Sequence, residues 1–396
     1  MTARVPVGAI LGLILVLCFA AFAGSISYRS FDPIVTVVAG DFGVSVRQAA
    51  LLVSAYGLPY AAMQPILGPV GDAYSKARLI KICLAITTVS TAVASIAPDY
   101  ATLMVSRVIA GVVAGGIFPV GLALIGDRTA LAERQVAASR FLVASIFGQM
   151  FGATVSGVIA AYFGWRMVFT VVTAISIASC AIVFRYLDSK SDVTRRITWA
   201  GAVDGYRAVL SNRSSHVVLA AVFGEGMFFF CVFPFVGAML IERGAGGPIA
   251  AGVALAGFAV GGVIYGSVVR FMIGALGQWN MMRAGGLMAG LSYLAIAVPM
   301  GPIGVALCFV LAGFGFYMLH NTLQAQATEL APRARGSTFA LFSAAMFLGQ
   351  GIGPIFAGTI SKLLGFQELF RIGRNARGRA RNPCRAASEA PHLRKY

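Results

Sequence analysis

The sequence predicts an all-α polytopic membrane protein made of two pseudo-symmetric helical bundles, with six recognisable transmembrane helices in the first and five in the second. Three observations carry this expectation. Of 396 residues, 58% are apolar and only 11% are charged, whereas a soluble globular protein carries about 25% charged residues. The mean hydropathy of +0.83 exceeds what a water-soluble core can hide. The apolar residues also gather in runs of about 20, the length that crosses a bilayer as a helix. Backbone groups in lipid must find partners within their own segment, so each run is predicted to be helical.

In chain order the runs are roughly 7–27, 46–67, 79–98, 101–124, 138–160, 165–186, 215–240, 248–272, 283–300, 302–325 and 337–360. The first has only Arg4 ahead of it, no convincing cleavage site and ten further spans behind it, so it reads as a span rather than a removed signal. Its end is open: residues 25–32 are mixed, apolar character returns at 34–39, and the helix could run on to about residue 38.

Basic residues orient the spans, because loops on the inner side are enriched in Lys and Arg. With the amino terminus inside, the inner links carry Lys76, Arg78, Lys81, Arg128, Arg134 and Arg140. The long central link adds Arg185, Lys190, Arg195, Arg196, Arg207 and Arg213, and later links Arg270, Arg283, Arg333 and Arg335. The opposite face has Arg29, Arg47, Arg166 and Arg243, singly placed. An amino terminus in the cytoplasm follows, and compact loops suit a bacterial inner membrane.

The polar stretch 187–214 divides the chain into a six-helix bundle (1–186), a cytoplasmic linker and a five-helix bundle (215–361). A weak repeat supports the division. Gly148, Gly152 and Gly157 recur 201 residues on as Gly349, Gly353 and Gly358, the second followed by Pro354, and Arg134 recurs as Arg335. Repeated halves are a mark of transport proteins; glycines recurring for close helix packing are the plainer explanation.

Two six-helix halves predict a twelfth span, yet residues 362–396 form a basic tail, expected to be disordered, with eight Arg or Lys and two Glu after residue 366. A shifted reading frame or a truncation would account for it, and then the ancestral end holds a further apolar span. The alternative is a specialised tail lying on anionic lipid. The net charge of +17 does not point to nucleic acid, because the basic residues sit between apolar runs and in a tail without interleaved aromatics. Five of the six cysteines lie in apolar runs and the three histidines are scattered. No disulfide framework, metal site, cofactor or catalytic constellation is expected.

Several motifs carry a family resemblance. They are Gly68-Pro-Val-Gly-Asp72-Ala-Tyr-Ser-Lys76-Ala-Arg78 after the second span and Arg107-Val-Ile-Ala-Gly111 in the fourth. Gly164-Trp165-Arg166 precedes the sixth span, and Glu329-Leu-Ala-Pro-Arg-Ala-Arg335 follows the tenth. Over about residues 5–361 the chain resembles the major facilitator superfamily, most of all its twelve-helix drug:proton antiporter and sugar-efflux branch. The resemblance implies that Gly68, Asp72, Lys76 and Arg78 gate the inside face, although Ala73, Ser75 and Ala77 depart from the motif. It implies that Arg107 is a buried charge near the coupling site; otherwise it snorkels to the interface. It also implies an antiporter motif at Gly148, Gly152 and Gly157, where Ala153 replaces the expected proline.

Acids inside spans are functional candidates in their own right. Glu225 lies deep in the seventh span and Asp32 near the outer end of the first, and with Arg107 they are the proton-coupling candidates. Tyr56, Tyr60, Gln64, Gln149, Phe229, His320, Asn321 and Gln324 are candidates for a substrate cavity richer in aromatic than in sugar-binding groups. The expected activity is outward transport of a small amphipathic or cationic solute in exchange for protons, with the proton gradient as energy source, by a monomer whose partners are solute, protons and lipid. A sugar or amino-acid transporter, or a truncated non-transporting membrane protein, is the alternative.

Overall fold

The computed structural model describes residues 7–73, 75–129, 131–189, 199–331 and 334–363. Helix α1 (Val7–Arg29) passes through a 3-10 turn at Asp32–Ile34 into α2 (Val35–Asp41), and the three form one crossing, Leu11–Asp41. Pro33, which has no N–H to donate, sits where the α-helix breaks. Then come α3 (Val46–Ala73), α4 (Lys76–Ser95), α5 (Tyr100–Ala114) continued by α6 (Ile117–Arg128), α7 (Leu131–Phe163) and α8 (Trp165–Tyr186). Caps define the short links: Ser75 accepts the Arg78 N–H at the start of α4, and Asp99 accepts that of Thr102 at the start of α5. The latter bond holds the Asp99 carboxyl below its ordinary range.

The second half begins with α9 (Trp199–Leu210), which lies within the stretch expected to be a polar linker. Helix α10 (Arg213–Phe230), a 3-10 turn at Phe233–Phe235 and α11 (Val236–Glu242) repeat the first crossing. They are followed by α12 (Pro248–Ala297), α13 (Pro302–Leu330) and α14 (Arg335–Leu363). At 50 residues α12 would be ~75 Å long, more than twice a hydrocarbon layer. It is broken at Gly277, whose φ of 69° admits glycine readily, and so makes two crossings. The count among the described residues is therefore eleven, as the hydropathy predicts. The expected link between 272 and 283 is instead a hinge within a helical run, because one glycine suffices to turn the chain. The basic tail beyond residue 363, and with it the expected twelfth span, lies outside the described residues, as does the side chain of Asp72.

The two bundles repeat each other at a spacing of 201. The 3-10 turns start at Asp32 and Phe233, each followed by proline, and α2 and α11 start at Val35 and Val236. A Cβ on Gly148 would lie 2.6 Å from the Phe22 carbonyl oxygen, and on Gly152 2.9 Å from that of Ile26. On Gly349 it would lie 2.1 Å from Phe223 O, and on Gly353 2.7 Å from Met227 O. Glycines and their backbone partners alike stand 201 apart. In each half these two glycines seat one long helix against the first helix of the same half.

The third glycine of each set faces the other half. A Cβ on Gly157 (α7) would lie 2.3 Å from Pro248 O (α12), and one on Gly358 (α14) 2.7 Å from Arg47 Cγ (α3). Gly57 and Gly351 meet in the same way, with 3.2 Å between a Cβ on the first and the Cα of the second. The Gly157 and Gly358 contacts lie at the end of the bundle that holds Asp41, Gly164 and Gly247, Gly57 and Gly351 meet midway along α3 and α14, and together they close the cavity on that side. Asp41 secures that end further by accepting hydrogen bonds from Trp165 Nε1 (2.9 Å) and Arg166 Nη1 (2.7 Å). At the other end, the mouth, α9 reaches across. Tyr206 Oη donates to Pro65 O at 2.6 Å, an oxygen whose helical donor would be residue 69, a proline. Gly205 packs against Ser337 of α14.

Candidate functional site

Between the halves lies a cavity of about 190 Å³, walled by α1, α3, α5, α6, α7, α10, α12, α13 and α14 and the turns beside them. It reaches from Asp32 near the closed end to Phe339 in the first turns of α14 at the mouth. Its wall is rich in aromatic rings, with Tyr28, Tyr60, Phe230, Phe233, Phe258, Phe316, Tyr317 and Phe347 among the residues in it. Arg29, Asp32 and His320 are its ionisable groups among the described residues, apart from the tyrosines.

Arg29 dominates the first-half side. Its Nη1 lies 3.2 Å from Asp32 Oδ2, its Nη2 donates to Gln350 Oε1 at 2.5 Å, and its Nε donates to Gln149 Oε1 at 3.5 Å. Tyr28 Oη donates to the same Gln350 oxygen at 2.9 Å. The guanidinium carbon stands 4.2 Å from the Phe230 ring centre and 4.6 Å from that of Tyr28, a placement that attracts cations to ring faces. Both halves thus hold one charge. Burial of Arg29 corrects its reading as an outer-face residue: hydropathy places it near a span end, but the 3-10 turn carries the chain on for twelve more residues to Asp41.

Arg107 does not snorkel. It is 1% exposed, and its guanidinium donates to the carbonyls of Ser27 (3.0 Å), Leu52 (3.4 Å) and Tyr28 (3.5 Å). The Tyr56 ring lies 4.4 Å from its carbon. The arginine therefore ties α5 to α1 and α3. Asp32 is 1% exposed, and its Oδ1 has no hydrogen-bond partner among the described residues.

Across the cavity, Glu225 is buried behind His320 rather than in the wall. His320 Nδ1 lies 3.0 Å from Glu225 Oε2, while Oε1 has no partner among the described residues. The imidazole stacks on Phe316, with 5.1 Å between ring centres and planes within 10°.

Of the other residues singled out from sequence, Tyr60, Gln149, Asn321 and Gln324 line the cavity with His320. Tyr56, Gln64 and Phe229 do not. Tyr56 (0% exposed) packs on Arg107 and Tyr28, Gln64 is 1% exposed, and Phe229 packs edge-on against Tyr293 and Phe316 within the second bundle. Lys76 pairs with Asp127 at 2.8 Å at the mouth, whereas Arg78 is exposed. Gly353 and Pro354 are buried in α14. Sequence reasoning passed over Arg29, Tyr28 and Gln350. The repeat itself offered the signal for one of them: Gln350 stands 201 residues after Gln149, and both glutamines take hydrogen bonds from Arg29.

The sequence profile of the Major Facilitator Superfamily matches residues 17–354. The chain is 28% identical over 337 residues to the uncharacterized MFS-type transporter YceJ of Bacillus subtilis, covering 83% of each chain. It is 25% identical over 377 residues to the inner membrane transport protein YdhP of Escherichia coli, covering 90% of this chain and 91% of the other. Its fold matches that of a bacterial homologue of the human lysosomal transporter Spinster with a TM-score of 0.72, at 18% identity, over 96% of this chain and 88% of that one. Matched along most of its length and folded as two bundles around a shared cavity, the chain belongs to the Major Facilitator Superfamily.

Proposed function

We propose that this protein exports a small amphipathic solute across a bacterial inner membrane, in exchange for protons and by alternating access. Family membership makes it a membrane transport protein rather than an enzyme. The observation that carries the proton-coupled reading is the Glu225–His320 pair, in which a carboxyl is shut behind an imidazole that faces the cavity. A proton entering from the cavity meets His320 first. A solute laid against Phe316 and His320 would displace the water that solvates an imidazolium, so solute and proton compete for one region. That competition is what exchange requires. Outward direction rests on the resemblance of the inside-face and α7 motifs to the antiporter branch. The positive-inside rule supports a mouth on the cytoplasmic side, and on that reading the conformation is inward-facing. The inside-face residues Gly68, Asp72, Lys76 and Arg78 would then gate the mouth.

The test is reconstitution of the full chain in liposomes loaded with a pH-reporting dye and challenged with a panel of aromatic dyes, drugs and sugars. Solute moving one way should drive protons the other way. E225Q should abolish the proton signal while sparing solute counterflow. Coupling that survives E225Q removes the pair from the mechanism, and no flux from correctly inserted protein would turn the reading to a non-transporting membrane protein. The amides of Gln149, Asn321, Gln324 and Gln350 in the wall favour a hydroxyl-rich solute such as a sugar as the second reading.

A further inference from the structure

The first-half side of the cavity is unequal in charge. Arg29 stands in the wall beside a single carboxylate, Asp32, and a second permanent cation, Arg107, is buried behind them against the carbonyls of Ser27 and Tyr28. No second acid stands in the wall among the described residues, since Glu225 is screened by His320. With Arg107 counted, two guanidinium groups stand against one carboxylate on this side, and in a setting of low dielectric such a local excess draws an anion and repels a cation.

Arg29 is also held in a way that leaves its fork open. A guanidinium offers five donors in a plane and grips a carboxylate best through two parallel bonds. Here it makes single contacts to three different oxygens. The carboxylate contact is long for a charge-assisted bond, at 3.2 Å, and the other two oxygens belong to neutral amides that can rotate away. Phe230 and Phe233 lie beside the guanidinium in the wall, ready to cover an aromatic or aliphatic body attached to an acid.

We propose that the solute carries an acidic group, a carboxylate or a comparable oxyanion, and that Arg29 is the residue that receives it, releasing Gln350 as it does so. This deepens the transport reading above and rests on it, and it sets aside the cationic solute that the sequence left open. Release of Gln350 by Arg29 would leave the Tyr28 hydroxyl as its remaining donor on α1, so the same event that binds the anion removes one of two hydrogen bonds between α1 and α14 at this glutamine.

The experiment compares matched compounds on the purified full chain in nanodiscs, without a gradient. Six amphipathic aromatic scaffolds, 4-phenylbutyrate among them, are each presented as the acid, the amide and the amine, and binding is read by thermal shift and by equilibrium dialysis. At least one acid should bind ten-fold or more tightly than its amide and its amine. Arg29→Lys, which keeps the charge and loses the fork, should weaken that acid about ten-fold. R29Q/D32N, which removes both charges so that neither is left buried alone, should abolish the preference. Preference for an amine, equal binding of acid and amide, no binding by any acid, or unchanged acid binding in a folded R29Q/D32N variant would each overturn the proposal. The transport reading fails separately: acids that bind through Arg29 but never move protons in liposomes would refute proton exchange and leave the anion site standing.

Discussion

Gly157 offers the sharpest test of how the halves close. Replacing it with alanine would put a Cβ 2.3 Å from the Pro248 carbonyl oxygen and 3.1 Å from its carbon, well inside the ~3.5 Å at which such atoms attract. Neither atom can rotate away, because one is backbone and the other is fixed to it. Relief requires α7 and α12 to part by about 1 Å, and overpacking of this kind costs roughly 1–3 kcal/mol. The strain exists only while the closed end is shut. Alanine's better helix propensity, up to ~1 kcal/mol over glycine, applies in both conformations and cancels from their ratio. G157A should therefore shift the balance toward opening of that end by about 5- to 150-fold. Spin labels at Ala101 and Ile303, exposed on opposite halves at the closed end, in a cysteine-free background, report the distance distribution. A longer-distance population should grow in G157A. G152A is the contrast: its clash is with Ile26 O inside one half, so it should lower stability without moving the distribution. An unchanged distribution in folded G157A would refute the reasoning and show that backbone contact at this crossing does not hold the end shut.

Three further outcomes are expected. Gly313→Ala would set a Cβ 1.8 Å from Phe258 O within the second bundle, and should cost about 3 kcal/mol, read as a lower melting midpoint and a reduced monodisperse fraction; wild-type behaviour would mean that α12 and α13 slide freely. Tyr206→Phe should cost about 0.5–1.5 kcal/mol and speed hydrogen exchange at the end of α3, unless the Pro65 oxygen finds another donor. A double-mutant cycle on Lys76 and Asp127 should give a coupling of only ~0.2–1 kcal/mol, because the Asp127 side chain is 60% exposed; a coupling of several kcal/mol would make this pair a principal latch of the mouth.

The spans were legible because the demand for about 20 apolar residues is set by the bilayer and needs no tertiary knowledge. The repeat was legible because close helix crossings admit few side chains, so Gly148 and Gly349 leave the same trace. Rotation of each helix about its axis was not. Tyr56 and Tyr60 are one turn apart on α3, yet only Tyr60 reaches the cavity, and apolar runs carry too little contrast to tell inward from lipid-facing sides. Arg29 was misread for a related reason: a charge near a span end usually sits at the surface, and only the continuation through Pro33 to Asp41 buries it. Glu225 and His320 were each visible as polar groups in apolar runs. Their pairing was hidden because 95 residues separate them.

The spacing of 201 has a consequence for how such a cavity can arise by duplication. Carried forward by that interval, Arg29 falls on Phe230 and Asp32 on Phe233, the two rings that lie beside the Arg29 guanidinium, while Gln149 falls on its counterpart Gln350. In an ancestral pair of identical chains, whatever stood at one position would have stood at both. Two arginines there would have confronted each other across the axis, and two phenylalanines would have given the glutamines no charge to hold. Joining the copies in one gene frees the equivalent positions to diverge, so that one supplies the cation and the other its aromatic cover. The glutamines, which accept from a shared central group, can remain alike. The asymmetry of the site is then what fusion makes available and what an assembly of identical subunits cannot reach.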